Sequence, residues 1–234
     1  MKNLIDVNFD MYSDTPPGKD PDALSPTLKE YHRILWSKQL PIGRVFELDK
    51  SIPKVLHHKS EIGEFTISSD AIGHTYHTWK IMDPIIKEIP SNEIDEFWAI
   101  CSTIGAYMVF PSKKVNNKMT INGARGLNKL IKDRFDLSLE CIRRYYDKES
   151  SPLEETLHRY SDFFDLFISF RGYVDFFLLQ DLVTDNYSSI KFWLPFNNFE
   201  GSPIPKSVDE YMLFKKNLMD LIKKRNDRIL SQWK

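Results

Sequence analysis

The segment TINGARG, residues 120–126, has the residue types of an anion-binding turn. Its two glycines let the backbone approach a ligand closely, and its arginine can donate two parallel hydrogen bonds to a phosphate or carboxylate. If a helix begins here, its free amide groups and its dipole also attract anions. We expect this turn to contact a ligand through four residues: Asn122, Gly123, Arg125 and Gly126.

A second arginine, Arg134, lies in the amphipathic stretch that predicts one helix over residues 123–147. At about 100° per residue it falls near the centre of the apolar face. A guanidinium does not lose its charge on burial, so a buried one needs a partner. Three alternatives stay open: an ion pair with Asp175 or Asp181, a contact with an anionic ligand, or a position at the edge of the core.

The two arginines together indicate a phosphate-bearing ligand, either a nucleotide or a short nucleic-acid segment. They lie roughly 14 Å apart if the helix is continuous, so a ligand with two anionic groups could contact both. The spacings match neither a phosphate-binding loop of the NTPases nor a dinucleotide fingerprint. Transfer or hydrolysis at a phosphate or glycosidic bond is a further expectation, although the sequence does not decide whether the protein is an enzyme. The candidate acids and bases are four aspartates: Asp14, Asp20, Asp175 and Asp181.

The alternative function is a protein-interaction module without catalysis. Residues 215–234 contain seven basic residues and two acidic ones, on a stretch that predicts a helix. Such a helix would bind an acidic protein partner or a second copy of the chain. The formal net charge of −1 argues against non-specific nucleic-acid binding, which needs many phosphate contacts.

Two histidine pairs, His57–His58 and His74–His77, flank a predicted strand. They could converge, but no cysteine or carboxylate follows at a metal-ligand spacing, so we expect loop and surface histidines and no metal site. The sequence indicates no particular cofactor.

The elements that must position these residues predict an α+β fold. Alternating segments crowd the first half and predict a small, mostly antiparallel sheet, whereas the second half is helical. Further strands are predicted at residues 7–13, 118–121 and 190–196. We expect one globular domain over residues 1–234, with a lobe boundary near residue 150 as the alternative.

The location of the protein is predicted to be cytoplasmic. Cys101 and Cys141 lie in apolar patterns typical of reduced, buried thiols. The first residues lack the apolar run of a signal peptide, and no segment is long and apolar enough for a membrane span. We expect no membrane partner.

A resemblance to a known family rests on five blocks: YSDTPPGKDPDALSPTLKEYH, LWSKQLP, TINGARG, KDRFDLSLECIRRYY and GYVDFFLLQDLV. The chain resembles a family of bacterial and phage-associated proteins of unknown function, over most of its length. The resemblance supports one domain of bacterial type and implies no activity, substrate or catalytic residue.

Overall fold

The computed structural model describes residues 4–49, 51 and 55–232. Among these, the strands form two antiparallel sheets, one of two strands in the order β1-β2 and one of three in the order β3-β4-β5. The strands are β1 Lys38–Gln39, β2 Val45–Phe46, β3 Leu56–Ser60, β4 Gly63–Ala71 and β5 Tyr107–Pro111. The predicted small antiparallel sheet from the first half of the chain is confirmed.

Helices pack around these sheets, which confirms the predicted α+β class. The helices are α1 Pro21–Leu24, α2 Pro26–Trp36, α3 Asp83–Ile86, α4 Ser91–Cys101, α5 Ile121–Leu127, α6 Phe135–Asp147, α7 Glu154–His158, α8 Ser161–Asp165, α9 Phe170–Phe176 and α10 Val208–Gln232.

The central strand β4 shows the alternation of a half-buried strand. Phe65, Ile67 and Ser69 point into the protein, and the residues between them are less buried. Its C-terminal end pairs with β5, where Asp70 lies opposite Met108. The end of β4 therefore brings a carboxylate to the edge of the core.

The long helix α10 packs against α4 and against residues 104–106, the turn just before β5. Arg225 on this helix is fully buried and donates hydrogen bonds to the carbonyls of Gly105, Tyr107 and Phe177. Burial lowers the pKa of Arg225 to about 9. These bonds join α10 to two segments that lie far away in the sequence.

The predicted single helix over residues 123–147 is wrong. The structure has two helices, α5 and α6, because Asn128 ends α5 in an extended conformation and its side chain accepts a hydrogen bond from the amide of Leu130. Lys132 and Asp133 then adopt left-handed φ values of 47° and 61°. Arg134 occupies the N-cap position of α6 and is not on a helix face.

Three predicted strands are absent from the described residues. At residues 7–13 the Asp10 carboxylate accepts from the amide of Tyr12 and forms a turn. At residues 118–121 the side chain of Thr120 caps α5. At residues 190–196 the backbone pairing is limited to an isolated bridge between Ile190 and Val183, and side chains bind the next segment: Asp136 accepts from the amide of Trp193 and Asn217 donates to its carbonyl.

Buried apolar side chains before and after residue 150 form one core cluster. This continuity favours one domain over two lobes, and the domain assignment stays a prediction.

Candidate functional site

A polar cavity of about 420 Å³ lies where the N-terminal loop and α1 meet the end of β4, the loop after it and α4. We call it the aspartate pocket. Its lining includes four aspartates, one lysine, two histidines and three aromatic residues: Asp20, Asp22, Asp70, Asp133, Lys19, His74, His77, Tyr12, Trp98 and Tyr107. Apart from Lys19, the charged side chains of this lining are all acidic.

Asp70 enters the pocket from the end of β4, with a fifth of its side chain exposed. Arg125 binds its Oδ2 from within the core and has no exposed surface. Arg125 also donates from Nε to the hydroxyl of Ser138 at 2.9 Å, and its guanidinium lies 5.4 Å from the ring centres of Phe110 and Phe135. The arginine therefore supplies a fixed counter-charge behind the pocket.

Asp22 reaches the pocket from α1, a helix that packs against β4. Asp20 caps this helix by accepting a hydrogen bond from the amide of Asp22 at 3.0 Å, and Pro21 occupies the first helical position. The Oδ1 atom of Asp22 is buried, and no residue within the described part of the chain donates to it. A protonated carboxyl tolerates such a position better than a carboxylate.

The proton affinities of Asp22 and Asp70 are both raised. Burial raises the pKa of Asp22 well above its usual value, and the Asp70 and Asp20 carboxylates raise it further. Burial also raises the pKa of Asp70, to about 6, although Arg125 opposes the shift. One pocket thus contains a carboxyl that favours the protonated form and a second that ionises near neutral pH, an arrangement suited to acid–base chemistry.

Asp133 is held in the pocket by its backbone. The phenol of Tyr76, itself at a φ of 57°, donates to the carbonyl of Lys132 at 2.7 Å. Gly126 leaves space on the other side, since a Cβ atom there would lie 3.1 Å from Oδ1 of Asp133. Left-handed non-glycine residues at a ligand-sized cavity are typical of functional sites.

The histidine side chains of the pocket have defined orientations. Nδ1 of His74 accepts from the amide of Tyr76 at 3.0 Å, so a neutral His74 carries its proton on Nε2. Burial lowers the pKa of His74 and of His77. His77 contacts the hydroxyl of Thr75 through Nδ1 at 2.5 Å. Both imidazoles are therefore neutral hydrogen-bonding groups at neutral pH.

The four predicted ligand contacts of the TINGARG segment lie behind the pocket, on α5. The Asn122 amide donates to the Ser68 hydroxyl and the Ser69 carbonyl at 3.1 Å each. The amide of Gly123 donates to the Thr120 side chain, and Arg125 binds Asp70. Two of these residues act on the pocket indirectly, because Arg125 binds one of its aspartates and Gly126 packs against another.

Arg134 is buried, and its partner is neither of the two predicted aspartates. Its Nε and Nη2 atoms donate to the carboxylate of Asp136 at 3.1 and 2.5 Å, and Nη1 donates to the Pro203 carbonyl at 2.8 Å. The predicted pairs with Asp175 and Asp181 are wrong, because Asp136, in the first turn of α6, already supplies the carboxylate that Arg134 needs. Arg134 also borders a smaller cavity of about 210 Å³.

Among the four candidate acids and bases, Asp20 lines the aspartate pocket. Asp14 accepts from the Ser25 hydroxyl and the Thr27 amide and so fixes the start of α2. Asp175 accepts from the phenol of Tyr187 at 2.7 Å, and Asp181 binds Arg228. The structure therefore does not bring the four aspartates together.

The histidine pairs do not converge on a metal site. His57 and His58 are buried in β3, so the expectation of surface positions is wrong for this pair. His57 contacts Glu64 at 3.1 Å and His58 contacts the Glu47 carbonyl at 2.8 Å. In the described ranges, no three His, Cys, Asp or Glu side chains are grouped as metal ligands.

Sequence reasoning missed Asp70, Asp133 and Trp98. No local motif marks these residues, and they come together only through the fold. The signal that was present is the aspartate-rich loop before α1, which brought Asp20 into consideration.

Comparisons place nearly the whole chain in one family. A model of a family of unknown function, DUF6994, matches residues 5–229, so the chain belongs to this family. No curated protein and no solved structure shows a significant match. Over the residues that the structure describes, no helix is both long and apolar enough to cross a membrane.

Proposed function

We propose that this member of a family of unknown function is an enzyme that hydrolyses or transfers a glycosidic bond in the aspartate pocket. The observation that carries the proposal is the pair of carboxyls, Asp22 and Asp70, which line one cavity and both have a raised pKa. Glycosidic bonds are commonly cleaved by two carboxyl groups, one protonated and one ionised.

In the proposed reaction Asp22 is the proton donor. The bond between the sugar carbon and the leaving atom breaks as Asp22 protonates that atom. A water molecule or an acceptor hydroxyl adds to the sugar carbon and gives up its proton, which an ionised aspartate accepts. Asp70 is the ionised group that Arg125 holds in place, and Asp20 and Asp133 lie in the same lining.

The charge of the pocket favours a glycosidic over a phosphate substrate. Four aspartates face one lysine there, and the nearest buried arginine is already bound to Asp70. Carboxylates and neutral imidazoles bind sugar hydroxyls well, whereas the carboxylates repel a phosphate in the absence of bound cations.

The test is a panel of nitrophenyl glycosides, including amino-sugar glycosides that carry an ammonium group, and of nucleosides, offered to the wild-type protein and to single variants. Asp22→Asn should lower turnover of an accepted substrate by about 10²-fold or more, because it removes the general acid. Asp220→Asn, a change at an exposed residue of α10, is the matched control and should leave turnover unchanged. A folded wild-type protein that cleaves no member of the panel, or equal rates for Asp22→Asn, would contradict the proposal.

Binding of a phosphate-bearing ligand at Gly123–Gly126 stays a prediction. The geometry supports it less, because α5 has only seven residues, Thr120 caps it, and the Arg125 side chain binds Asp70 and has no exposed surface. A thermal-shift panel of nucleotides and short oligonucleotides checks it. A ligand at a hundred times its Kd should add about 2.7 kcal/mol of stability.

The interaction module also stays a prediction. Most of the basic side chains of α10 already have partners: Lys215 binds Glu93, Arg228 binds Asp181, and Lys223 lies 3.8 Å from Glu96. Arg225 is buried. This leaves a smaller exposed basic surface than the sequence suggests.

A further inference from the structure

Two aromatic rings of the aspartate pocket are more exposed than a packing role requires. The ring centres of Tyr12 and Trp98 lie 4.8 Å apart with their planes tilted by 37°. Their exposed fractions are 37% and 38%, although both line the cavity. The edge of His77 packs against Trp98 with ring centres 5.1 Å apart. Exposed aromatic surface inside a ligand-sized cavity indicates a surface that a ligand covers.

Carboxylates lie next to these rings. Burial and then the charges of Asp20 and Asp22 raise the pKa of the Tyr12 phenol to about 12. The two carboxyls are therefore close enough to Tyr12 to act on it electrostatically. One oxygen of Asp22 is buried and has no hydrogen-bond partner in the described chain, so the protein itself does not fully satisfy this carboxyl.

The positive charges at the pocket do not balance its carboxylates. Arg125 compensates Asp70, and Lys19 is the remaining lysine of the lining. Asp20 and Asp133 share that one lysine, whereas Asp22 favours the protonated form. A cationic ligand would reduce this surplus, and aromatic faces attract cations through their quadrupoles.

We infer that the aspartate pocket binds an organic cation, either an ammonium group or a positively charged heteroaromatic ring, against Tyr12 and Trp98 and beside Asp20 and Asp22. The inference rests on the proposed function for the choice of pocket, and it gives the substrate of that reaction its charge.

The test compares choline with 3,3-dimethylbutan-1-ol, a neutral molecule of the same shape, by titration calorimetry on the full chain. Choline should bind at least about tenfold more tightly, since the neutral molecule lacks the attraction of the rings and carboxylates. Adenosine monophosphate, an anionic probe, should bind more weakly than choline. Equal affinities for choline and its neutral counterpart, tighter binding of the nucleotide, or no detectable choline binding would each overturn the inference.

Variants then locate the site. Trp98→Leu should weaken choline binding by about tenfold, whereas Trp98→Phe, which keeps an aromatic face, should retain most of it. Tyr12→Leu is the second variant if Trp98→Leu does not fold, and Asp220→Asn is the charge control on α10. Unchanged choline affinity in both leucine variants would overturn the inference.

Choline binding and glycoside cleavage, measured on the wild type and on Asp70→Asn, separate this inference from the proposed reaction. Choline binding together with no cleavage of any glycoside supports the cation site and contradicts the proposed function. Cleavage of neutral glycosides without choline binding supports the proposed function and contradicts the cation site. Choline binding in the wild type that persists in Asp70→Asn, while glycoside turnover is lost, supports both.

Discussion

Arg125 binds Asp70 from inside the core, with no part of its side chain exposed to solvent. This ion pair connects α5 to the end of β4 and places one carboxylate of the pocket. It also explains why the arginine of the TINGARG segment, which looks like a ligand contact in the sequence, is turned inward.

Arg125→Ala should destabilise the protein by about 3–5 kcal/mol, because it leaves the partly buried Asp70 carboxylate without its counter-ion. The loss should be larger at pH 8 than at pH 5, since Asp70 can escape its uncompensated charge by protonation at the lower pH. Denaturant unfolding at both pH values measures it. Arg44→Ala removes an exposed pair with Glu61 and should cost less than about 1 kcal/mol. Equal costs for the two variants would refute the role of Arg125.

Asp22→Asn should change stability in a pH-dependent way. The pKa of Asp22 is raised in the folded state, so the protonated carboxyl stabilises the fold at low pH and this contribution is lost as pH rises through the raised pKa. The asparagine does not titrate. The difference in unfolding free energy between Asp22→Asn and wild type should therefore depend on pH. It should favour the variant more at pH 8 than at pH 5, by about 1 kcal/mol or more. Urea unfolding at the two pH values checks this, and a pH-independent difference would show that Asp22 is not shifted.

Gly126→Ala should affect the pocket more than the fold. Alanine favours a helix by about 1 kcal/mol over glycine, but its Cβ would lie 3.1 Å from Oδ1 of Asp133 and push that carboxylate by a few tenths of an ångström. Stability should change by less than about 1 kcal/mol, while choline affinity falls severalfold. Gly123→Ala on the same helix contacts the flexible Met119 side chain and is the control. Calorimetric titrations that give the same affinity for both variants would refute this prediction.

Gly172→Ala should be strongly destabilising. A Cβ atom at this position of α9 would lie 2.1 Å from the carbonyl oxygen of Phe167, so the backbone itself must move. The expected cost is at least about 2 kcal/mol, or a fall in Tm of roughly 4 °C or more. Thermal unfolding measures it, with Gly123→Ala as the tolerated substitution. A Tm within about 1–2 °C of the wild-type value would contradict the prediction. It would mean that the backbone at Phe167 moves away from the new Cβ atom at little cost.

The sequence predicts elements well where a local signal and the packing agree. Ser25 caps α2 as expected, accepting from the amide of Leu28 at 3.0 Å. The helix at Pro90–Ser91 and the long final helix also form where their patterns predict them. In each case the apolar periodicity continues to the end of the element, so the local and tertiary preferences coincide.

The sequence predicts poorly where side chains satisfy the backbone. Periodicity carries across residues 128–134 although Asn128 has already ended α5, and Leu127 is consequently 71% exposed. Trp193 lies in an apolar run typical of a strand, but Asp136 and Asn217 bind its backbone groups from elsewhere in the chain. A pattern of residue types does not reveal such long-range hydrogen bonds.

Of the candidate site, the sequence could predict only the part that lies in the N-terminal loop. Asp20 was identifiable because it lies in a polar loop, and loops carry binding and catalytic residues more often than helices do. Arg125 lies 55 residues from Asp70, the carboxylate that it binds. Only the folded chain brings the two side chains together.

The hydrogen bonds from Arg225 bear on the order of events during folding. The carbonyl of Gly105 lies 120 residues before this arginine, so the contact forms only after a long loop closes, and loop closure carries an entropic cost that local contacts avoid. Until α10 docks, the carbonyls of Gly105, Tyr107 and Phe177 lack the guanidinium that binds them in the native state. We therefore expect local helices such as α2 and α6 to form early and the docking of α10 on β5 to limit the folding rate.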